Sequence, residues 1–106
     1  MIVHSPRVME FHDEARLQCD VTHSKGVSTL WYAFHPRFLD MVSTHRLDPF
    51  LVGLLPLAMQ EGEEIVLEGP VSEKLLFNLR WAFMPLAAIN NPELRPIRIS
   101  PGEVES

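Results

Sequence analysis

From Ala15 the chain alternates strictly, with Ala15, Leu17, Cys19 and Val21 on one side and Arg16, Gln18, Asp20 and Thr22 on the other. That is the pattern of a strand with one dry and one wet face. Ser24-Lys25-Gly26 follows, placing a glycine at the left-handed position of a three-residue hairpin loop, so a return strand is expected over residues 27–34. This second strand begins by alternating but ends as Leu30-Trp31-Tyr32-Ala33-Phe34, apolar on both faces. Such a strand is central in its sheet or covered on its second face. Ahead of the hairpin no clean period appears, although Ile2-Val3 and Val8-Met9 could each seed a short edge strand.

Beyond the hairpin the period changes. Pro36 lacks a donor and stops the ladder, and residues 36–43 read as a short helix with Phe38, Leu39 and Val42 as its apolar stripe. Asp48-Pro49 starts a longer helix, because the carboxylate can accept from an orphan amide and proline fits the first turn. This helix runs to about Gln60; Pro56 removes a bond to Val52 and predicts a kink near Val52-Gly53, and Gly62 terminates it. Ile65, Val66 and Leu67 make a short buried strand that ends at Gly69-Pro70.

Ser72 then caps a second long helix with Glu73 in its first turn and Leu75, Leu76, Leu79 and Phe83 as its core stripe. Pro85 kinks or ends it, with a shorter piece continuing to Ile89. Asn90-Asn91-Pro92 is a turn, Ile97 and Ile99 flank Arg98 in a last short strand, and residues 101–106 read as a polar tail. The order predicts an α+β fold, a small mixed or antiparallel sheet with an N-terminal hairpin and two long proline-kinked helices packed on it.

Composition narrows the setting. At 106 residues, 46% hydrophobic and 22% charged, the chain matches a single folded domain and lies far from the signature of disorder. A net charge of −5 with dispersed basic residues disfavours a phosphate backbone, so no nucleic-acid partner is expected. The uncharged stretches 49–60 and 81–92 are 12 residues each, short of the roughly 20 that a bilayer span needs, so no membrane partner is expected. Cys19 has no disulfide partner and no charged, apolar leader precedes residue 15, which points to the cytoplasm.

Candidate chemistry is sparse. His4, His12, His23, His35 and His45 stand in no recognised metal-ligand spacing, and Cys19 lies on the dry face, where burial makes a thiol inert. Glu61, Glu63, Glu64 and Glu68 read as a solvated turn, and the five glycines are too far apart to cradle a phosphate. No catalytic residue, metal or cofactor is therefore expected, and no activity from this chain alone. Trp31, Tyr32, Phe34, Phe77 and Trp81 exceed what one face of a small core needs and form a candidate interface. Asn78, an amide within an apolar helix, is a candidate polar contact.

Three stretches carry a resemblance: Leu30-Trp31-Tyr32, the run from Asp48-Pro49-Phe50 to Leu57-Ala58-Met59, and the run from Glu68-Gly69-Pro70 to Phe77-Asn78-Leu79. In this order they resemble the region ahead of the nucleotide-binding domain in uncharacterised bacterial proteins related to PP-loop ATP pyrophosphatases, the 7-cyano-7-deazaguanine synthase-like group. The resemblance covers residues 30–99. The family's Ser-Gly-Gly-x-Asp-Ser loop is absent here, so no catalytic residue carries over. What the resemblance implies is an N-terminal accessory or substrate-recognition domain, residues 1–106, whose partner is a PP-loop-type catalytic domain in the same longer protein. Two other readings stand beside it: a free-standing small-ligand-binding domain or small enzyme, and a homo-oligomeric interaction domain.

Overall fold

The computed structural model describes residues 1–106 and shows an α+β fold built on a mixed sheet. Strands β3 (Ala15–His23) and β4 (Gly26–Phe34) form the expected hairpin, paired over nine positions from Ala15↔Phe34 to His23↔Gly26. The loop is shorter than expected. Because Gly26 already pairs with His23, only Ser24 and Lys25 turn the chain, and Gly26 takes φ +127°, a region that side chains rarely adopt.

Along the other edge of β3 lie two short strands, β1 (Ile2–Val3) and β2 (Arg7–Glu10), paired antiparallel with its two ends. Pro6, which has no N–H to give the ladder, lies in the gap between them. On its far side β1 pairs in parallel with β5 (Ile65–Leu67), and β5 in parallel with β7 (Ile99–Ser100). One half of the sheet is thus antiparallel and the other parallel.

The strict alternation of β3 reports its burial faithfully: Ala15, Leu17, Cys19 and Val21 are buried, and the residues between them are only partly covered. Helix α1 (Asp48–Glu61) buries Phe50, Leu51, Leu54, Leu55, Ala58 and Met59 in the same 18-residue core. Its start differs from expectation. Leu47 occupies the cap position without a side-chain bond, and Asp48 Oδ1 instead accepts the Ser72 N–H at 2.8 Å, joining α1 to the next segment. Pro56 does not end the helix. Pro56 and Val52, whose carbonyl loses its usual donor, are both exposed, so water can take the bond. Gly62 closes α1 in the left-handed conformation, φ 68°, as expected.

Gly69-Pro70 bends the chain rather than ending the ladder. Pro70 opens strand β6 (Pro70–Ser72), and the C-terminal residues, expected as a polar tail, form strand β8 (Glu103–Glu105) parallel to it. Two parallel pairs, β5 with β7 and β6 with β8, therefore bend together at Gly69 and Gly102. Arg46 Nε donates to Glu105 Oε1 at 2.8 Å and His45 Nε2 lies 3.0 Å from the same oxygen, which ties β8 down. The Arg46 bond first, then that of His45, holds the Glu105 carboxyl below the usual carboxylate range. A lowered carboxyl pKa adds stability above its unfolded value and loses it as pH falls through the folded value. The melting-temperature gap between wild type and Glu105→Gln is therefore expected to be widest at neutral pH and to close as the pH falls below the ordinary carboxylate range. A gap that stays constant over that range would show that the pair adds nothing.

Between β6 and β7 run α2 (Glu73–Asn78), a π turn (Leu79–Phe83) and α3 (Met84–Asn90). Ser72 Oγ accepts the Leu75 N–H at 3.3 Å, the expected cap. Pro85 neither ends nor breaks the helix, because the wider turn before it, with Met84 N–H bonded to Leu79 O, absorbs the missing donor. That turn also shifts the phase: Leu76, Leu79 and Met84 are buried, whereas Phe83, expected in the core stripe, is 41% exposed. The short helix after β4 is a 3-10 turn (Pro36–Met41) with no buried residue, capped by His35 Nδ1.

Candidate functional site

With the core on one side, the second face of the sheet is open. Register places Arg16, Gln18, Asp20 and Thr22 of β3 opposite Ala33, Trp31, Thr29 and Val27 of β4 on this face, and Arg7 and Met9 of β2 beside Gln18 and Arg16. The expectation that β4 is central or covered is corrected here. It is an edge strand, exposed at Gly26 to Thr29 and again at Trp31 to Ala33, because nothing pairs with its outer side.

The open face is an organised surface. Arg16 stands 4.9 Å from the Phe11 ring centroid and 5.3 Å from that of Trp31, a guanidinium held between two aromatic rings, while the Glu14 carboxylate accepts from its Nε. Trp31 is 53% exposed and Phe11 48%. Next along the strand, Asp20 Oδ1 accepts from Thr29 Oγ1 at 2.8 Å and from Arg7 Nη2 at 3.2 Å. Those two bonds, Thr29's foremost, hold the Asp20 carboxyl below its ordinary value. Turned so that its oxygen faces Arg7, the Gln18 amide accepts from the same guanidinium at 2.8 Å. At the far end His4 Nε2 meets Thr22 Oγ1 at 2.8 Å and its Nδ1 lies 3.2 Å from the Glu68 carboxylate.

The five aromatic residues singled out in the sequence do not form one patch. Trp31 lies on the open face. Tyr32 and Phe34 lie on the core face of β4; the Tyr32 hydroxyl donates to Pro49 O at 2.8 Å, its ring tilts against Phe50 at 5.5 Å, and Phe34 packs half-buried on the core. Phe77 and Trp81 belong to the α2–α3 helix, exposed at 62% and 71%. Asn78 is exposed too, so water satisfies its amide. Sequence reasoning missed Arg16 and Phe11, whose only local signal is a place on or beside the wet side of the β3 alternation.

A pocket of about 340 Å³ opens between the hairpin end and α1, lined among others by Leu30, Leu54, Leu57, His23, Ser28 and Glu61. His23 Nε2 lies 2.8 Å from Ser28 Oγ, a spacing that suggests a nucleophile and base. The other ring nitrogen decides otherwise. Nδ1 accepts the Lys25 backbone N–H at 3.2 Å, so in the neutral ring the proton sits on Nε2 and is donated to the serine. This tautomer cannot accept the serine proton. Cys19 is equally unsuited to attack: burial first, and the Asp20 charge second, push its thiol up to about 11. His4, His35 and His45 each bond to different partners, and nowhere do three His, Cys, Asp or Glu side chains converge as a metal site would require. Compared with known protein families, curated proteins and solved structures, the chain matches none.

Proposed function

We propose that this chain is a non-catalytic interaction module that recognises a protein partner through the open face of its sheet. The observation that carries the reading is Arg16 held between Phe11 and Trp31. Tryptophan and arginine dominate the energetics of protein interfaces, and an arginine already fixed by stacking loses little freedom when a partner covers it. The partner is the catalytic part of a larger protein. The sequence resemblance supports a PP-loop-type ATP pyrophosphatase domain, for which this chain serves as an accessory or substrate-recognition domain.

The test is a titration of the chain against such a catalytic domain, followed by calorimetry, with Trp31→Ala as the variant. The wild type is expected to bind the domain and to show neither affinity for ATP nor turnover of it. Trp31→Ala is expected to lose about 2 kcal/mol or more of binding while melting normally, since its side chain is half exposed. Micromolar ATP binding by the chain alone, or a Trp31→Ala variant that binds as well as wild type, overturns the reading.

A further inference from the structure

We propose that the cavity between the hairpin end and α1 is a binding site for a free apolar amino acid, whose side chain enters among the leucines while its carboxylate meets the hairpin and its ammonium meets the end of α1. The site is separate from the open sheet face, and neither proposal depends on the other.

Strand register builds the first wall. Val21 and His23 of β3 and Ser28 and Leu30 of β4 lie on the core face of the hairpin, with Val21 opposite Ser28 and Leu30 opposite Cys19. Helix α1 builds the second. Leu54, Leu57 and Glu61 follow one another by three and four residues, which sets them on one side of the helix, and all three line the same cavity. Val21 and Leu54 are buried, whereas Leu57 is 47% exposed and Leu30 only partly covered. The hairpin and the helix thus leave between them a space of about 340 Å³. Small-molecule pockets span about 300–1,000 Å³, so this one suits a small ligand.

The polar groups around this space are sorted by wall. Those of the hairpin donate. His23 Nε2 gives its proton to Ser28 Oγ, because Nδ1 accepts the Lys25 N–H, and the Ser28 hydroxyl hydrogen is left to donate elsewhere. Lys25, in the turn itself, adds an ammonium that stands in no ion pair. Those of α1 accept. Glu61 ends the helix, Glu63 follows two residues later, and neither carboxylate is paired. The negative end of the helix dipole falls at the same point. Met1 also lines the cavity, but its amino group is already held by the Glu64 carbonyl at 3.0 Å.

This division selects the class of ligand. An anion without a positive group meets two unpaired carboxylates and the negative end of a helix, and a cation without a negative group meets Lys25. A molecule that carries both signs beside an apolar body satisfies both walls and the leucines between them. An apolar α-amino acid has that form and is small enough for the space. Phosphate-bearing ligands are disfavoured by the same two carboxylates and by the net charge of −5. Because Lys25 and Glu61 are exposed, water and salt keep each charged contact weak, and the apolar body supplies most of the affinity. A ligand of about a dozen heavy atoms held in this way is expected to bind with a Kd of about 0.1–1 mM.

The test is a titration of the intact, isotope-labelled chain with L-phenylalanine, read from its amide resonances by NMR, with phenethylamine, hydrocinnamate and glycine as comparison probes. Phenylalanine is expected to give a saturable shift centred on residues 23–28 and 57–63. Phenethylamine lacks the carboxylate and hydrocinnamate the ammonium, so each is expected to bind about 3-fold or more weakly than phenylalanine, and glycine, which lacks the apolar body, is expected not to bind. Lys25→Glu, at an exposed turn position, is expected to bind phenylalanine about 5-fold more weakly than wild type and phenethylamine more tightly. The ranking of the four probes on wild type decides the matter even if that variant does not fold. No saturable shift by about 20 mM phenylalanine overturns the proposal. So does a shift centred elsewhere, binding of phenethylamine or hydrocinnamate as tight as that of phenylalanine, or a folded Lys25→Glu variant with the preferences of wild type. None of these outcomes bears on Trp31 and the open sheet face.

Discussion

Phe50→Ala is expected to destabilise the protein by about 3–5 kcal/mol, a large share of the roughly 5–15 kcal/mol that holds an ordinary domain together. Phe50 is 1% exposed on the first turn of α1 and is the largest fully buried side chain. Its loss removes transfer energy and leaves a cavity that the surrounding leucines can only partly fill. The damage reaches further than the core. Phe50 supports Tyr32, whose hydroxyl holds the Pro49 carbonyl, and these two contacts fasten the edge strand β4 to α1. Urea unfolding should show the lost stability, and hydrogen exchange should show β4 amides losing protection first. A loss below about 1 kcal/mol would mean that Phe50 does not pack as described.

Gly102→Ala is expected to cost about 3 kcal/mol, at the upper end for overpacking. A methyl group there would lie 2.8 Å from Gly69 N, 2.8 Å from Leu67 O and 3.1 Å from Gly69 O. All three are backbone atoms, so no rotamer change can relieve the contact, and the β7–β8 bend must separate from the β5–β6 bend. Gly69→Ala is the informative control. Its added carbon meets the tip of Leu47 at 3.0 Å, and a leucine tip can move. Thermal melts should therefore rank Gly102→Ala well below Gly69→Ala; equal losses would show that the two bends are not in backbone contact.

That bend marks a boundary in what the chain reveals locally. Pro70 and Pro101-Gly102 carry strong turn chemistry, and turns are what they predict; yet each bend leads into a strand, β6 or β8, that exists only because the other lies beside it. A three-residue strand has no period of its own to read. The same holds for β4: Leu30-Trp31-Tyr32-Ala33-Phe34 is apolar on both faces whether or not another strand lies outside it, and only the sheet order makes it an edge. The candidate interface suffered accordingly. Its aromatic residues were recognisable by type, but strand register sends Trp31 to the open face and Tyr32 and Phe34 to the side that faces α1 and the core, where Tyr32 stays 45% exposed.

What the sequence determined by itself is whatever rests on short-range physics. The dry and wet faces of β3 follow from side chains alternating along an extended chain, the Ser72 cap and the Gly62 terminator follow from backbone groups within one helical turn, and the inertness of Cys19 follows from the face it occupies. Only the tertiary structure decided which apolar residues stay outside. It clamps Arg16 between Phe11 and Trp31, and it opens a π turn ahead of Pro85 that moves Phe83 away from the core and leaves Phe77, Trp81, Pro85 and Ile89 exposed. Both depend on contacts between segments distant in the chain and on the phase of a helix. Hydrophobicity alone carries neither.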